Sequence, residues 1–228
     1  MIYIIKHREC ETLELRGYKD LGVGKMFDGC KDNINGLNPF INEMTAIYDI
    51  WKNKRDEIKG QIQYRKHLEE DGEILSYDRV KRLLQDYDII TTKQYYTFNG
   101  IYNNLRSEIG DELSKRTLDK YYRKLIDIEP ELYDYFNTKS FHYGNMFICK
   151  KQIYDDYCKW VFSIIIPLTE DFIIEDAKIV NKNRMIGYLC ERLFTYYIIK
   201  NNLNVKECDA VITGDRLDAT EVLYGDKL

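Results

Sequence analysis

The chain has 228 residues, 44% hydrophobic and 32% charged, with 34 basic and 38 acidic side chains giving a formal net charge of −4. This is a globular composition, long enough for one well-buried core without a second domain. The slight acidity argues against bulk attraction to nucleic acid. No run reaches the ~20 apolar residues of a membrane helix, since the longest, Val161 to Leu168, carries Ser163 and Pro167.

Met1 to Lys6 predicts a buried strand, and Lys6, His7 and Arg8 interrupt it before any signal-peptide pattern forms. The next thirty residues read as loop, punctuated by Gly17, Gly22, Gly24, Gly29 and Gly36. The run Asp32-Asn33-Ile34-Asn35-Gly36-Leu37-Asn38-Pro39 then leads into a helix over Phe40 to Asn53. Asn38 suits its cap and Pro39 its first turn. Met44, Ile47, Tyr48 and Trp51 give it one apolar face. Ile58 to Gln63 predicts a second strand, closed by Tyr64-Arg65-Lys66. Polar and cationic groups thus collect where β-like segments stop. In open α/β sheets ligands bind at that edge, so a phosphate-bearing ligand is the first expectation.

Glu69 to Glu73 reads as a solvated acidic loop. Val80, Leu83, Leu84 and Tyr87 predict a short helix, and Ile89 to Thr92 a strand. Helical spacing returns at Leu118, Tyr121, Tyr122 and Leu125. Met146 to Cys149 predicts another strand. Two long helices follow, Ile153 to Ile166 and Arg184 to Lys200. The second carries Ile186, Leu189, Cys190, Leu193 and Tyr197 on one face and Arg184, Tyr188, Glu191 and Thr195 on the other. Residues after Asn201 read as a peripheral tail. Strands alternating with helices, without a repeat, predict one α/β domain over residues 1–228.

The six cysteines, Cys10, Cys30, Cys149, Cys158, Cys190 and Cys208, form no C-x-x-C pair. They read as reduced thiols of a cytoplasmic protein, several of them filling the core. The 20 tyrosines fit either sugar stacking, where a ring covers a pyranose face, or a coding bias that also enriches Asn, Lys and Ile.

Several residues carry candidate chemistry. Arg65 can fork onto a diphosphate, with Lys66 adding a point charge; the alternative is a solvated strand edge. Asp86-Tyr87-Asp88 is a D-x-D that in other enzymes would hold Mg or Mn, but it enters a strand rather than leaving one, which favours a structural role. Glu191 is a candidate general base, against a plain surface carboxylate. His7 ends a strand and His142 precedes Gly144-Asn145. The nucleophile G-x-S-x-G, the P-loop and the G-x-G-x-x-G fingerprint are all absent.

In their order along the chain these segments resemble a bacterial glycosyltransferase-like family, long catalogued as a domain of unknown function and found in capsule and exopolysaccharide gene clusters. Ile2 to His7 resembles its opening strand, and Gly17-Tyr18 to Gly24 its Y-x-x-L-x-V-G turn. Asp32-Asn33-Ile34, Leu37 to Phe40 and Asn42 to Asn53 resemble its D-N-I … N-P-Y-x-x-E-L-T-A-L-Y-x-I-W-K-N signature. Gly60 to Lys66 is similar to G-L-C-H-Y-R-R. Asn145 to Ile148 with Tyr157 to Phe162 resembles N-M-F-I … Y-C-E-W-L-F. Arg184 with Gly187 to Leu193 resembles R … G-Y-L-A-E-R-L. Two departures stand out: Gln63 replaces the family's usual His, and Asp49 replaces an aromatic residue.

The resemblance implies a GT-A-like, Rossmann-like fold with a mixed central sheet flanked by helices. It implies an inverting hexosyltransferase that uses a UDP-sugar, with galactofuranose a candidate sugar, and a lipid-linked glycan as acceptor. Glu191 is then the catalytic base. His7, Asp32, Asn33, Asn38, Glu43, Tyr64, Arg65 and Lys66 fall to the donor, and His142, Asn145 and Arg192 to the acceptor. No metal ligand is assigned; Mn or Mg is an option, although cationic groups at the strand end make a metal dispensable. The expected location is cytoplasmic, at most in peripheral contact with the inner face of the membrane. The rival reading is a non-catalytic nucleotide-sugar or glycan-binding component of an assembly complex. A nucleotidyltransferase is weaker still, for want of paired carboxylates on a strand.

Overall fold

In the first strand, β1 (Ile2–Lys6), residues 2 to 5 are buried, and their alternation divides the core in two. Ile2 and Ile4 join one apolar cluster, Tyr3 and Ile5 a larger one. Successive strand side chains point to opposite faces, so a strand apolar throughout must be covered on both. The computed structural model describes residues 1–180 and 184–212. Residues 181–183 and 213–228 of the expected domain lie outside the described residues.

The remaining elements of the first half are β2 (Tyr18–Gly22), α1 (Asn38–Ile41), α2 (Met44–Asn53), β3 (Ile58–Gln63), β4 (Lys66–Glu70), β5 (Glu73–Ile74), α3 (Tyr77–Asp86) and β6 (Ile89–Thr92). There follow β7 (Gln94–Tyr96), α4 (Ile101–Ile109), α5 (Glu112–Ile128), α6 (Leu132–Phe136), β8 (Ser140–His142), β9 (Phe147–Lys150), α7 (Lys151–Glu175), α8 (Met185–Lys200) and β10 (Val205–Ile212). Eight strands form one mixed sheet in the order β2-β1-β3-β9-β6-β10-β4-β5. In it β9 and β4 run against their neighbours. Strands β7 and β8 form a separate pair. Val80, Leu83 and Leu84 of α3 cover one face, and the apolar sides of α2, α4, α5, α7 and α8 cover the other.

Four features differ from the sequence reading. Strand β2 lies inside the expected loop, paired in parallel with β1 from Ile2↔Tyr18 to Lys6↔Gly22. Only Leu21 of β2 is buried, so it carries no apolar period to read. The acidic stretch expected as a loop is half strand: Glu69 and Glu70 lie in β4 and Glu73 in β5, joined by a turn at Asp71 and Gly72. Glu70 is tolerated there because Arg79 Nε and Lys206 Nζ each approach to 2.6 Å, which holds its carboxyl down at about 2. The expected tail contains β10, which sits inside the sheet, parallel to β6 and antiparallel to β4. Finally, α7 runs through Pro167 to Glu175. A mid-helix proline costs about 3 kcal/mol, and here Leu168 and Phe172 beyond it are buried in the core.

Asp86-Tyr87-Asp88 has the structural role its position favoured. Asp88 Oδ2 accepts the Asn204 backbone N–H at 2.9 Å, and Asn204 Nδ2 donates to the Asp86 carbonyl at 2.8 Å, locking the approach to β10. Among the described residues, no helix is long and apolar enough to cross a membrane.

Candidate functional site

The parallel strands β1 and β3 end on the same edge of the sheet, and β9 begins there. A cleft of about 290 Å³ opens at that edge. Ile5 and His7 enter it from the end of β1, and Gln63, Tyr64, Arg65 and Lys66 from the turn between β3 and β4. Tyr143 reaches it from the segment ahead of β9. The helical side supplies Asn38, Asn42 and Glu43, and from α8 Tyr188 and Glu191, with Arg184 at the helix start.

Glu43 gets there through a break in the expected helix. Asn42 takes a left-handed φ of 51° and separates α1 from α2. Asn38 fixes the break instead of capping a helix: its Nδ2 donates to the Asn42 carbonyl and to Thr45 Oγ1, both at 2.9 Å. Gly187 of α8 permits the close approach, since a Cβ there would lie 2.8 Å from Asn42 Nδ2 and 3.2 Å from the Phe40 carbonyl. A side chain at residue 187 would therefore press on Asn42, the residue before Glu43.

The cations of the cleft are unspent. Among the described residues, Arg65, Lys66 and Arg184 have no carboxylate within ion-pair distance. The Arg65 guanidinium lies 5.1 Å from the Tyr64 ring centre and the Lys66 ammonium 5.0 Å from that of Tyr143. Burial lowers the Lys66 pKa, opposed by the nearby Glu191 carboxylate. Burial and the charges of Arg65, Arg8 and Arg184 lower that of His7, which packs edge-on against Tyr64 at 5.3 Å.

Two carboxyl groups face these cations. Burial raises the pKa of Glu43, whose Oε1 accepts Asn145 Nδ2 at 3.2 Å. Burial pushes Glu191 up to about 8, with Arg192 pulling it down and Glu43 pushing it further up. A carboxyl group that titrates near neutrality inside a cleft is suited to accepting a proton.

Of the residues singled out in the sequence, His7, Asn38, Glu43, Tyr64, Arg65, Lys66 and Glu191 converge on the cleft. Asn145 lies beneath it, holding Glu43. The others lie elsewhere. Asp32 accepts from Tyr48 Oη at 3.0 Å, and Asn33 donates to the Cys30 carbonyl at 2.7 Å, both in the exposed loop ahead of α1. His142 is buried, its Nδ1 2.6 Å from the Thr92 carbonyl. Arg192 is fully buried against Phe141, Glu108 and Glu191. The sequence reading did not assign Asn42, Gln63, Tyr143, Arg184 or Tyr188 to the site. Arg184, Tyr188 and Glu191 share the polar face of one helix, and that spacing was the available signal. Nothing local marks Tyr143 or the Asn42 break. Among the described residues, no three His, Cys, Asp or Glu side chains are grouped to hold a metal ion.

Comparison with known proteins places this architecture. The family model "Domain of unknown function (DUF4422)" matches residues 1–202, in keeping with the resemblance drawn from the motifs. The apo structure of WbbM, a bifunctional glycosyltransferase, superposes with a TM-score of 0.79 at 27% identity, over 94% of this chain. The match spans 45% of WbbM, so this chain corresponds to less than half of that protein. No curated protein matches.

Proposed function

The chain belongs to the DUF4422 family, and from that footing we propose that it is a glycosyltransferase with a GT-A-like arrangement, moving a hexose from a UDP-sugar to a hydroxyl of a lipid-linked glycan. The observation that carries this reading is the meeting of three unpaired cations with a high-pKa carboxyl group in one cleft. The likeness to WbbM supports it.

In this scheme the diphosphate lies along Arg65, Lys66 and Arg184. The acceptor oxygen attacks the anomeric carbon from the opposite side and inverts it. The bond from that carbon to the phosphate oxygen breaks as the new glycosidic bond forms, and the UDP leaves with the bonding electron pair. Glu191 takes the proton of the acceptor hydroxyl. Negative charge grows on the departing phosphate in the transition state, so fixed cations stabilise that state more than the ground state. The cations supply the charge that a divalent metal provides in other sugar-nucleotide enzymes. A capsule or exopolysaccharide setting, with galactofuranose as the sugar, follows from the motif resemblance.

The test is transfer from a panel of UDP-sugars to a glycolipid acceptor. Glu191→Gln is expected to abolish transfer while keeping UDP binding, and near-normal turnover in that variant sinks the proposal. One observation favours the rival reading of a binding component. Gln63, where the motif resemblance puts His, donates an amide N–H to the Gly144 carbonyl at 3.2 Å. Tight UDP-sugar binding with neither hydrolysis nor transfer would select that alternative.

A further inference from the structure

The two ends of the cleft ask for opposite chemistry. His7, Arg65 and Arg184 at its rim are exposed, and they present positive charge or N–H donors. The less exposed side, formed by Asn42, Glu43 and Gln63, adds oxygen acceptors that the rim lacks. Asn42 Oδ1 is buried without a hydrogen-bond partner. Gln63 donates an amide N–H to the Gly144 carbonyl, which leaves its side-chain oxygen available to accept. Glu43 adds a carboxyl group braced from beneath by Asn145.

The backbone supports the same assignment. Asn42 and Asn145 both adopt left-handed φ, 51° and 49°. One precedes Glu43 in the chain and the other bonds to its carboxyl group. Residues held in such sparsely populated conformations concentrate at functional sites. Asn145 is only 2% exposed, and its Oδ1 is also unpartnered. Buried acceptors without donors are uncommon in folded proteins and call for an explanation. A ligand that brings O–H groups to Asn42 and Gln63 supplies one.

We propose that Asn42, Glu43 and Gln63 form the subsite that grips the hydroxyl groups of the donor's sugar and so selects which sugar is transferred. The assignment rests on the reading that the cationic rim holds the diphosphate. A sugar attached to a diphosphate satisfies both ends at once: phosphate oxygens accept from the rim, and hydroxyl groups donate to the inner acceptors.

The test is calorimetric binding of UDP and of a panel of UDP-hexoses in both ring forms, to the wild-type chain, Glu43→Gln and Asn42→Gly. Glycine at residue 42 keeps the left-handed backbone while removing the orphan oxygen. The wild-type chain is expected to bind one UDP-sugar at least ~10-fold more tightly than UDP, and both variants are expected to erase most of that margin. UDP affinity stays within about twofold in each, because the rim is untouched. A sugar preference that survives both variants overturns the subsite. So does a loss of UDP affinity in a variant whose unfolding midpoint matches wild type. Failure of the wild-type chain to bind UDP at all overturns the diphosphate reading, and the subsite falls with it.

Discussion

Glu191 and Arg192 are consecutive in α8, yet one faces the cleft and the other the core. Arg192 Nη1 lies 3.2 Å from Glu191 Oε2, while Nη2 lies 3.0 Å from Glu108 Oε2. The guanidinium is wholly buried, 4.6 Å from the centre of the Phe141 ring. A charge in that position orients the Glu191 carboxylate from behind and leaves its front to the cleft. Arg192→Met removes the partner of two carboxylates. Burial favours the neutral form of Glu191 and Glu108 is partly exposed, so urea unfolding of this variant is expected to show a loss smaller than the about 3–5 kcal/mol of a fully buried broken pair. An unchanged midpoint contradicts the buried network.

The pH dependence follows from Glu191. Its pKa rises from 4.5 to about 8 in the folded protein, chiefly through burial. Between those values the folded state keeps a proton that the unfolded chain has released. This contribution therefore favours folding most at low pH, declines as pH rises from 4.5 to about 8, and is flat beyond. Glu191→Gln is expected to flatten this part of the stability profile in chemical denaturation across the same window. With Glu191 as the proposed base, transfer is expected to have the opposite slope, because only the ionised carboxylate accepts a proton: kcat is expected to climb with pH toward a plateau. Glu43 is raised as well, so the limb reports the pair rather than one residue.

On the proposed reading, charge at the rim sets donor affinity. Hydrogen bonds to charged groups contribute about 1.5–3 kcal/mol, so Arg65→Ala and Arg184→Ala are each expected to weaken UDP binding roughly 10- to 100-fold. The effect shrinks with added salt at these exposed positions. Transfer is expected to survive EDTA if, as proposed, the cations meet the diphosphate directly. Loss of turnover in EDTA, restored by Mn, would show that the charge is supplied otherwise.

Gly187 is a packing prediction at the site. A Cβ added at residue 187 would meet Asn42 Nδ2 and the Phe40 carbonyl, and alanine forces one of them to move. Overpacking typically costs about 1–3 kcal/mol. Gly187→Ala is expected to lower stability by that amount and to reduce transfer further than UDP binding, because the displaced Asn42 immediately precedes Glu43.

Thiol labelling tests the core. Cys149, Cys158, Cys190 and Cys208 are buried, Cys10 is partly covered and Cys30 exposed. Burial raises the pKa of all four buried thiols. A maleimide or disulfide reagent is expected to modify Cys30 and Cys10 in the native protein, and the others only after denaturation. Fast native labelling at Cys190 would place α8 wrongly.

The sequence made Arg65, Lys66 and His7 legible because strand ends are marked by where an apolar run stops. Glu191 was legible because helical period separates its face from Leu189 and Cys190. The break at Asn42 was not, since the apolar spacing from Met44 to Trp51 extends back smoothly to Phe40. It is imposed by Asn38, Thr45 and the approach of Gly187, and these contacts are long-range or conformational. Strand β10 was missed for a related reason. Its residues alternate weakly, and Lys206 is at home there only because Glu70 from another strand neutralises it at 2.6 Å.

That strand also has a bearing on synthesis. Val205–Ile212 is the last described strand in chain order, yet it separates β6 from β4 in the middle of the sheet. Until it leaves the ribosome, two hydrogen-bonding strand flanks have no mate. Unmatched flanks are templates for pairing with other chains. The nascent polypeptide therefore passes its most association-prone moment late, with α7 and α8 already made and the gap between β6 and β4 still open.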